Sequence, residues 1–158
     1  MEYKIEEIEI NDHLLRLSIQ ELNELTFIPE NIESANTKED LIFTESIIEL
    51  HKYFKLNNIH INSLGVEPEL LRSRKNADIY LPAIFIAYST ISENPNIVSL
   101  ALNVISSFIY DNLKGTIGNK TAKIEFYVEK KKGKISKINY KGDAEGLKNF
   151  DKIIKALK

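Results

Sequence analysis

The sequence predicts an α+β fold: several helices packed on a small antiparallel sheet, with a ββα unit at the C-terminal end. Three observations carry this. Ala122, Ile124, Phe126 and Val128 alternate with Lys123, Glu125, Tyr127 and Glu129, the period of a half-buried strand, and a turn and a return strand follow. Two longer segments, 38–57 and 96–113, repeat their apolar residues at the helical period instead. The chain has 158 residues, 43% hydrophobic and 28% charged, which is material for a single domain over 1–158 with a packed core.

From the N-terminus, Ile5, Ile8 and Ile10 alternate loosely, Asn11-Asp12 is a turn signal, and Leu15, Leu17 and Ile19 alternate with Arg16, Ser18 and Gln20. This predicts a β-hairpin; the competing reading is a helix through 14–25. Residues 28–36 are polar, contain Pro29 and Asn31, and read as a loop. Thr37 is placed to cap a helix over 38–57, with Asp40 in its first turn and Phe43, Ile47, Leu50 and Phe54 along one face, and Asn57-Asn58 ends it. Residues 59–64 suit a short strand before Gly65. Glu67-Pro68 opens a short helix through Leu70 and Leu71, since proline fits the first helical turn, and Asn76-Ala77-Asp78 breaks it.

A helix is expected over 81–91, with Pro82 at its start. Pro95 then opens a helix over 96–113 that is apolar on nearly every side, which places it at the centre of the core. Gly115 and Gly118 mark the clearest linker, within 112–120. Beyond it come the alternating strand, a turn at 130–134 containing Gly133, and the return strand 135–140. Asp143 caps a final helix with Leu147, Phe150, Ile154 and Leu157 on one face. A lone hairpin is marginal in water, so its apolar face needs a cover. The final helix and the helix at 96–113 are the two candidates.

The net charge of −2 hides an uneven distribution. Residues 1–113, read as mainly helical, carry 8 Lys+Arg against 18 Asp+Glu, a net of −10. Residues 114–158 carry 13 Lys against 5 Asp+Glu, a net of +8, and most of that excess lies in the ββα unit, 120–158. Such polarity implies that the two parts attract each other within one fold, that a solvated Lys face keeps the protein soluble, or that the basic part meets an acidic partner such as nucleic acid or an acidic protein. Lys123, Tyr127, Lys130, Lys131, Lys132, Lys134, Lys137 and Tyr140 are the candidate contact residues. Only 3 of the 21 basic residues are arginine, and none of these lies in the basic part, so the bidentate fork that grips phosphate is missing there.

Cysteine is absent, which removes disulfides, thiol catalysis and thiolate-ligated metals. The three histidines form no HExxH or HxH pattern. On the expected helix Glu45 and Glu49 share a face, and His51 points away from it. Glu129-Lys130-Lys131 matches the Glu-x-Lys tail of a nuclease pattern but has no acidic partner upstream at suitable spacing. Gly115 to Lys120 lacks the spacing of a phosphate loop and precedes a strand, so no helix N-terminus faces a phosphate. Hence no catalytic residue, metal ligand or cofactor is expected. The acidic N-terminus lacks a signal core, the apolar run 79–91 is too short to span a bilayer, and the run 97–109 contains Ser99, Asn103, Ser106 and Ser107; the two read as a buried core or a helical hairpin, with a membrane-associated pair as the alternative, and the expected location is the cytoplasm.

Residues 81–158 resemble, in the order of their elements, the small effector-associated components of bacterial conflict and defence systems. The matching segments are 81–113, 123–128, 134–140 and 143–157, about half the chain. The resemblance implies a non-catalytic adaptor coupling a sensor to an effector, and it carries over no site residues. The expected function is therefore a non-enzymatic protein-interaction module with a protein partner, an accessory or immunity component of a defence or toxin system. The alternatives are a nucleic-acid binder using the Lys-rich hairpin, and a divergent metal-dependent hydrolase in which Glu129 or His51 meets another acid.

Overall fold

The alternating segments near the C-terminus become the two longest strands of a computed structural model that describes residues 2–19, 22–64, 71–72, 78–115 and 121–157. In chain order the elements are β1 (Glu2–Ile8), α1 (Asn11–Arg16), β2 (Leu25–Ile28), β3 (Phe43–Thr44), α2 (Ile47–Leu56), β4 (Asn62–Ser63), β5 (Leu71–Arg72), β6 (Ile79–Tyr80), β7 (Ala83–Ile86), α3 (Tyr88–Glu93), α4 (Pro95–Leu113), β8 (Ala122–Glu129), β9 (Ile135–Gly142), α5 (Ala144–Lys148) and α6 (Asp151–Ala156). The α+β class is as expected.

The sheet is larger than expected and mixed rather than antiparallel. Among the described residues it has seven strands in the order β1-β9-β8-β7-β2-β4, with β6 beside β8, and β3 pairs with β5 separately. The antiparallel pairs are β1–β9, β8–β9 and β2–β7, whereas β7–β8, β6–β8 and β2–β4 are parallel. Parallel neighbours need a crossover. α3 and α4 supply it between β7 and β8, and α2 supplies it between β2 and β4.

Both faces of the sheet are covered. On one face Ile84, Ile86, Ala122, Ile124, Phe126, Val128, Ile138 and Tyr140 meet apolar residues of α2, α4, α5 and α6. Both predicted covers of the hairpin are therefore present. On the other face Ala83, Phe85, Tyr127 and Ile135 meet Ile10, Leu14, Leu17, Ile28 and Ile32. Besides its helices, the acidic N-terminal part contributes five strands to this sheet, and the basic part supplies the other two.

Four local expectations are corrected. The run expected as a helix over 81–91 forms β7 and then α3. β7 is buried on both faces, and a doubly buried strand shows a continuous apolar run, not alternation. Pro82 sits between β6 and β7, where the strand carries one more residue than its partner between the Tyr80–Lys123 and Ile84–Phe126 pairs. A proline without an N–H fits such a bulge.

The N-terminal hairpin does not form. β1 pairs with β9 instead, and residues 11–16 turn into α1, whose Leu14 packs into the second cluster with Leu17 just beyond. The helix expected over 38–57 begins at Ile47, because Ile42 donates its N–H to Asn31 Oδ1 at 2.8 Å and its carbonyl accepts from Glu30 N at 2.9 Å. Thr37 Oγ1 still bonds Asp40, now across a 3₁₀ turn.

The final helix is split into α5 and α6, with Phe150 between them buried against the rings of Tyr3, Phe126 and Tyr140. Asp143 caps α5 as expected, accepting from Gly146 N at 2.8 Å. α4 runs from Pro95 as expected but exposes a stripe through Leu100, Asn103, Ser107 and Tyr110. The short strand expected in 59–64 is β4. The helix expected from Glu67-Pro68 lies outside the described residues up to Leu70, and Leu71 belongs to β5. The linker expected around Gly118 also lies outside them. No described helix is long and apolar enough to cross a membrane.

Candidate functional site

Strand periodicity places alternate residues of β1, β9 and β8 on the face away from the main helices. The register lines them up in rows: Glu2, Lys141 and Lys123; then Lys4, Asn139 and Glu125; then Glu6, Lys137 and Tyr127. Positive and negative side chains are thus mixed on this face across three strands. Above the first two rows lies a cleft of about 380 Å³, with Glu30, Thr44 and Tyr80 on its far wall.

The cleft has a fixed cation at one end. Asp78 Oδ1 accepts from the Thr121 hydroxyl at 3.0 Å, and Asp78 Oδ2 lies 3.3 Å from Lys123 Nζ. That ammonium also sits over the Tyr80 ring, 5.2 Å from its centroid, and 3.4 Å from its hydroxyl. The Thr121 hydroxyl, with Lys123 assisting, holds the Asp78 carboxyl below its usual range. The Tyr80 hydroxyl and Asp78 raise the Lys123 ammonium above its usual value. Lys123 is therefore held charged. On the far wall Thr44 Oγ1 donates to Glu30 Oε2 at 2.9 Å.

A second cluster lies beside the cleft. The Tyr127 hydroxyl donates to Glu33 Oε2 at 3.0 Å, with Glu125 Oε2 at 3.4 Å. Lys137 bonds Glu33, lies 3.3 Å from Glu125, and stands over the Tyr127 ring. Burial, then the two carboxylates, push the Tyr127 phenol far up, so it stays protonated. Burial opposes the charge on Lys137, but Glu33 and Glu125 outweigh it and raise this ammonium.

The eight residues singled out by the basic pattern do not form one surface. Lys123, Lys130 and Lys137 pair with Asp78, Glu7 and Glu33, all acids of the N-terminal part. Tyr127 and Tyr140 are buried on opposite faces of the sheet, and the Tyr140 hydroxyl donates to the Asp143 carbonyl. Lys131, Lys132 and Lys134 remain exposed at the hairpin turn. Sequence reasoning missed Lys4, Glu30, Glu33, Asp78 and Lys141. The alternation within β1 and β9 was a usable signal for Lys4 and Lys141. The other three lie in loops and show no period.

The histidines lie apart from the cleft. His51 meets the Phe27 ring edge-on, and His60 bonds Asn62. Glu129 accepts from Tyr88 N and so caps α3. Ser99, Asp151 and Lys155 form a polar knot between α4 and α6, with the Ser99 hydroxyl donating to Asp151 at 3.1 Å and accepting from Lys155 at 2.9 Å. The chain matches no protein-family model, and comparison with curated proteins and with solved structures returns no match.

Proposed function

We propose that this chain is a non-enzymatic protein-interaction module, an adaptor whose contact surface is the mixed-charge cleft over β1, β8 and β9. The observation that carries this is the interleaving of Lys4, Lys123 and Lys141 with Glu2, Glu30 and Glu125 around one opening. A phosphate backbone laid there would meet carboxylates as often as ammonium groups. A polypeptide bearing both signs of charge can match them. Lys123 is the anchor, because Asp78 and Tyr80 have already fixed its position, so little side-chain freedom is lost on binding. The setting we infer is the one the resemblance of residues 81–158 implies, an accessory or immunity component of a bacterial defence or toxin system in the cytoplasm.

The test is co-purification with the products of neighbouring genes. The wild-type chain should retain a protein partner. Lys123→Glu should weaken it roughly tenfold or more, the scale of a lost central charge contact. Lys132→Glu, at the turn, should leave it unchanged. Binding of generic DNA or RNA at low salt that is lost with the turn lysines would overturn this reading, as would a partner insensitive to Lys123→Glu.

A further inference from the structure

β1 closes one end of the sheet: it pairs with β9 along its whole length and has no strand on its other side among the described residues. An unprotected strand edge is a template for another strand. β1 is seven residues long, and its Tyr3 and Ile5 are 47% and 39% exposed on the helix-bearing face. Lys4 and Glu6 lie on the opposite face, and neither forms an ion pair among the described residues.

We propose that a second copy of this chain docks antiparallel along β1, making a two-fold dimer with one continuous sheet. The sequence of the edge selects this occupant and its register. A two-fold axis perpendicular to the sheet sets residues of like parity opposite each other, because each face must map onto itself. Centred on Ile5, the pairing places Lys4 opposite Glu6 of the second copy, twice, and sets Ile5 against Ile5 on the helix-bearing face. Centred on Lys4, it would set Lys4 against Lys4 and Glu2 against Glu6. Centred on Glu6, it would set Glu6 against Glu6. Opposite charges directly across a ladder stabilise it and like charges oppose it, so one register is favoured and both neighbouring registers are penalised. Ile5 of the two copies meet where each copy alone exposes them, and Tyr3 lies opposite Glu7 and diagonal to Ile5 of the second copy. The interface is short, which fits a reversible dimer in the micromolar range and not an obligate one. The dimer shares Lys4 with the rim of the cleft but does not use Lys123.

The experiment is sedimentation velocity with light scattering on the whole chain over a concentration series. The wild type should move from monomer to dimer. Lys4→Glu and Glu6→Lys should each weaken the dimer roughly tenfold, since each places like charges across the ladder twice. Mixing the two variants should recover a heterodimer, and Lys4→Glu/Glu6→Lys should recover the homodimer. That rescue separates a broken interface from a misfolded chain. A wild type that stays monomeric through the micromolar range, or a dimer indifferent to both single changes, overturns the proposal. So does a monomer whose β1 amides become protected only when a different protein is added. Loss of partner binding with Lys123→Glu while the dimer persists would separate the two readings.

Discussion

Lys137 shows how much a single side chain holds in place. Its ammonium bridges Glu33 and Glu125, and its stem lies against the buried Tyr127 ring. The side chain is 16% exposed, so the pair is partly but not fully removed from water. Lys137→Met keeps the stem but leaves two carboxylates facing each other beside an apolar ring. Removing one partner of a largely buried pair costs more than the pair contributed, and with residual solvent screening the expected loss is about 2 kcal/mol. In a chain of this size that lowers Tm by roughly 4–8 °C, measurable by thermal unfolding at neutral pH. A change below about 1 °C would mean that water replaces the ammonium at no cost. The sign of the pH dependence follows from the raised ammonium. Its contribution is complete below the ordinary lysine value of 10.5 and is lost as pH rises through the higher folded value. The sequence marks Lys137 and Tyr127 among eight candidate contact residues. The register of β8 and β9 puts them opposite each other, and strand alternation cannot tell that Glu33, from a loop about a hundred positions away, closes over them.

At the scale of elements, α6 is held to α4 by the knot of Ser99, Asp151 and Lys155 as well as by Ile154 and Phe150. Burial acts to raise the Asp151 carboxyl, but the Ser99 hydroxyl and Lys155 outweigh it and hold the group below its ordinary 3.8. A lowered carboxyl contributes stability that is present above the unfolded value and lost as pH falls through the folded one. Asp151→Asn should therefore flatten the decline of Tm as pH falls below about 4, while lowering Tm at pH 7. Equal slopes in both proteins would show that the knot does not couple to protonation. Elements with a clean period were legible here: β8, β9, α4 and the Asp143 cap follow from alternation, helical spacing and a capping carboxylate. β7 was not, because burial on both faces erases the period that separates a short strand from a helix. The break between α5 and α6 was equally hidden, since Phe150 occupies a helix-compatible position in the sequence and a ring cluster in the fold.

For the whole molecule, part of the charge division along the chain is met inside the fold. β8 lies between β7 of the acidic part and β9 of the basic part, and β9 lies beside β1. Glu7, Glu33 and Asp78 each meet a lysine from β8, β9 or the turn between them. The arithmetic of −10 and +8 pointed to attraction between parts, but only the strand order says which acids meet which lysines. The consequence is that neither part is complete alone. A fragment covering 121–158 exposes Ile124, Phe126, Val128 and Ile138 where α4 would lie, and a hairpin with two short helices has little else to bury. A fragment covering 1–115 leaves one side of β7 unpaired. Each fragment alone should lack cooperative unfolding by circular dichroism, and mixing them should restore it. Opposite net charges should steer their encounter, so the association rate at low salt should fall roughly tenfold by 0.5 M NaCl, while the rate of separation changes little. An independently folded 121–158 fragment would show that the helices after β9 suffice to cover the hairpin. A salt-independent association rate would show that the charge division plays no part in bringing the two parts together.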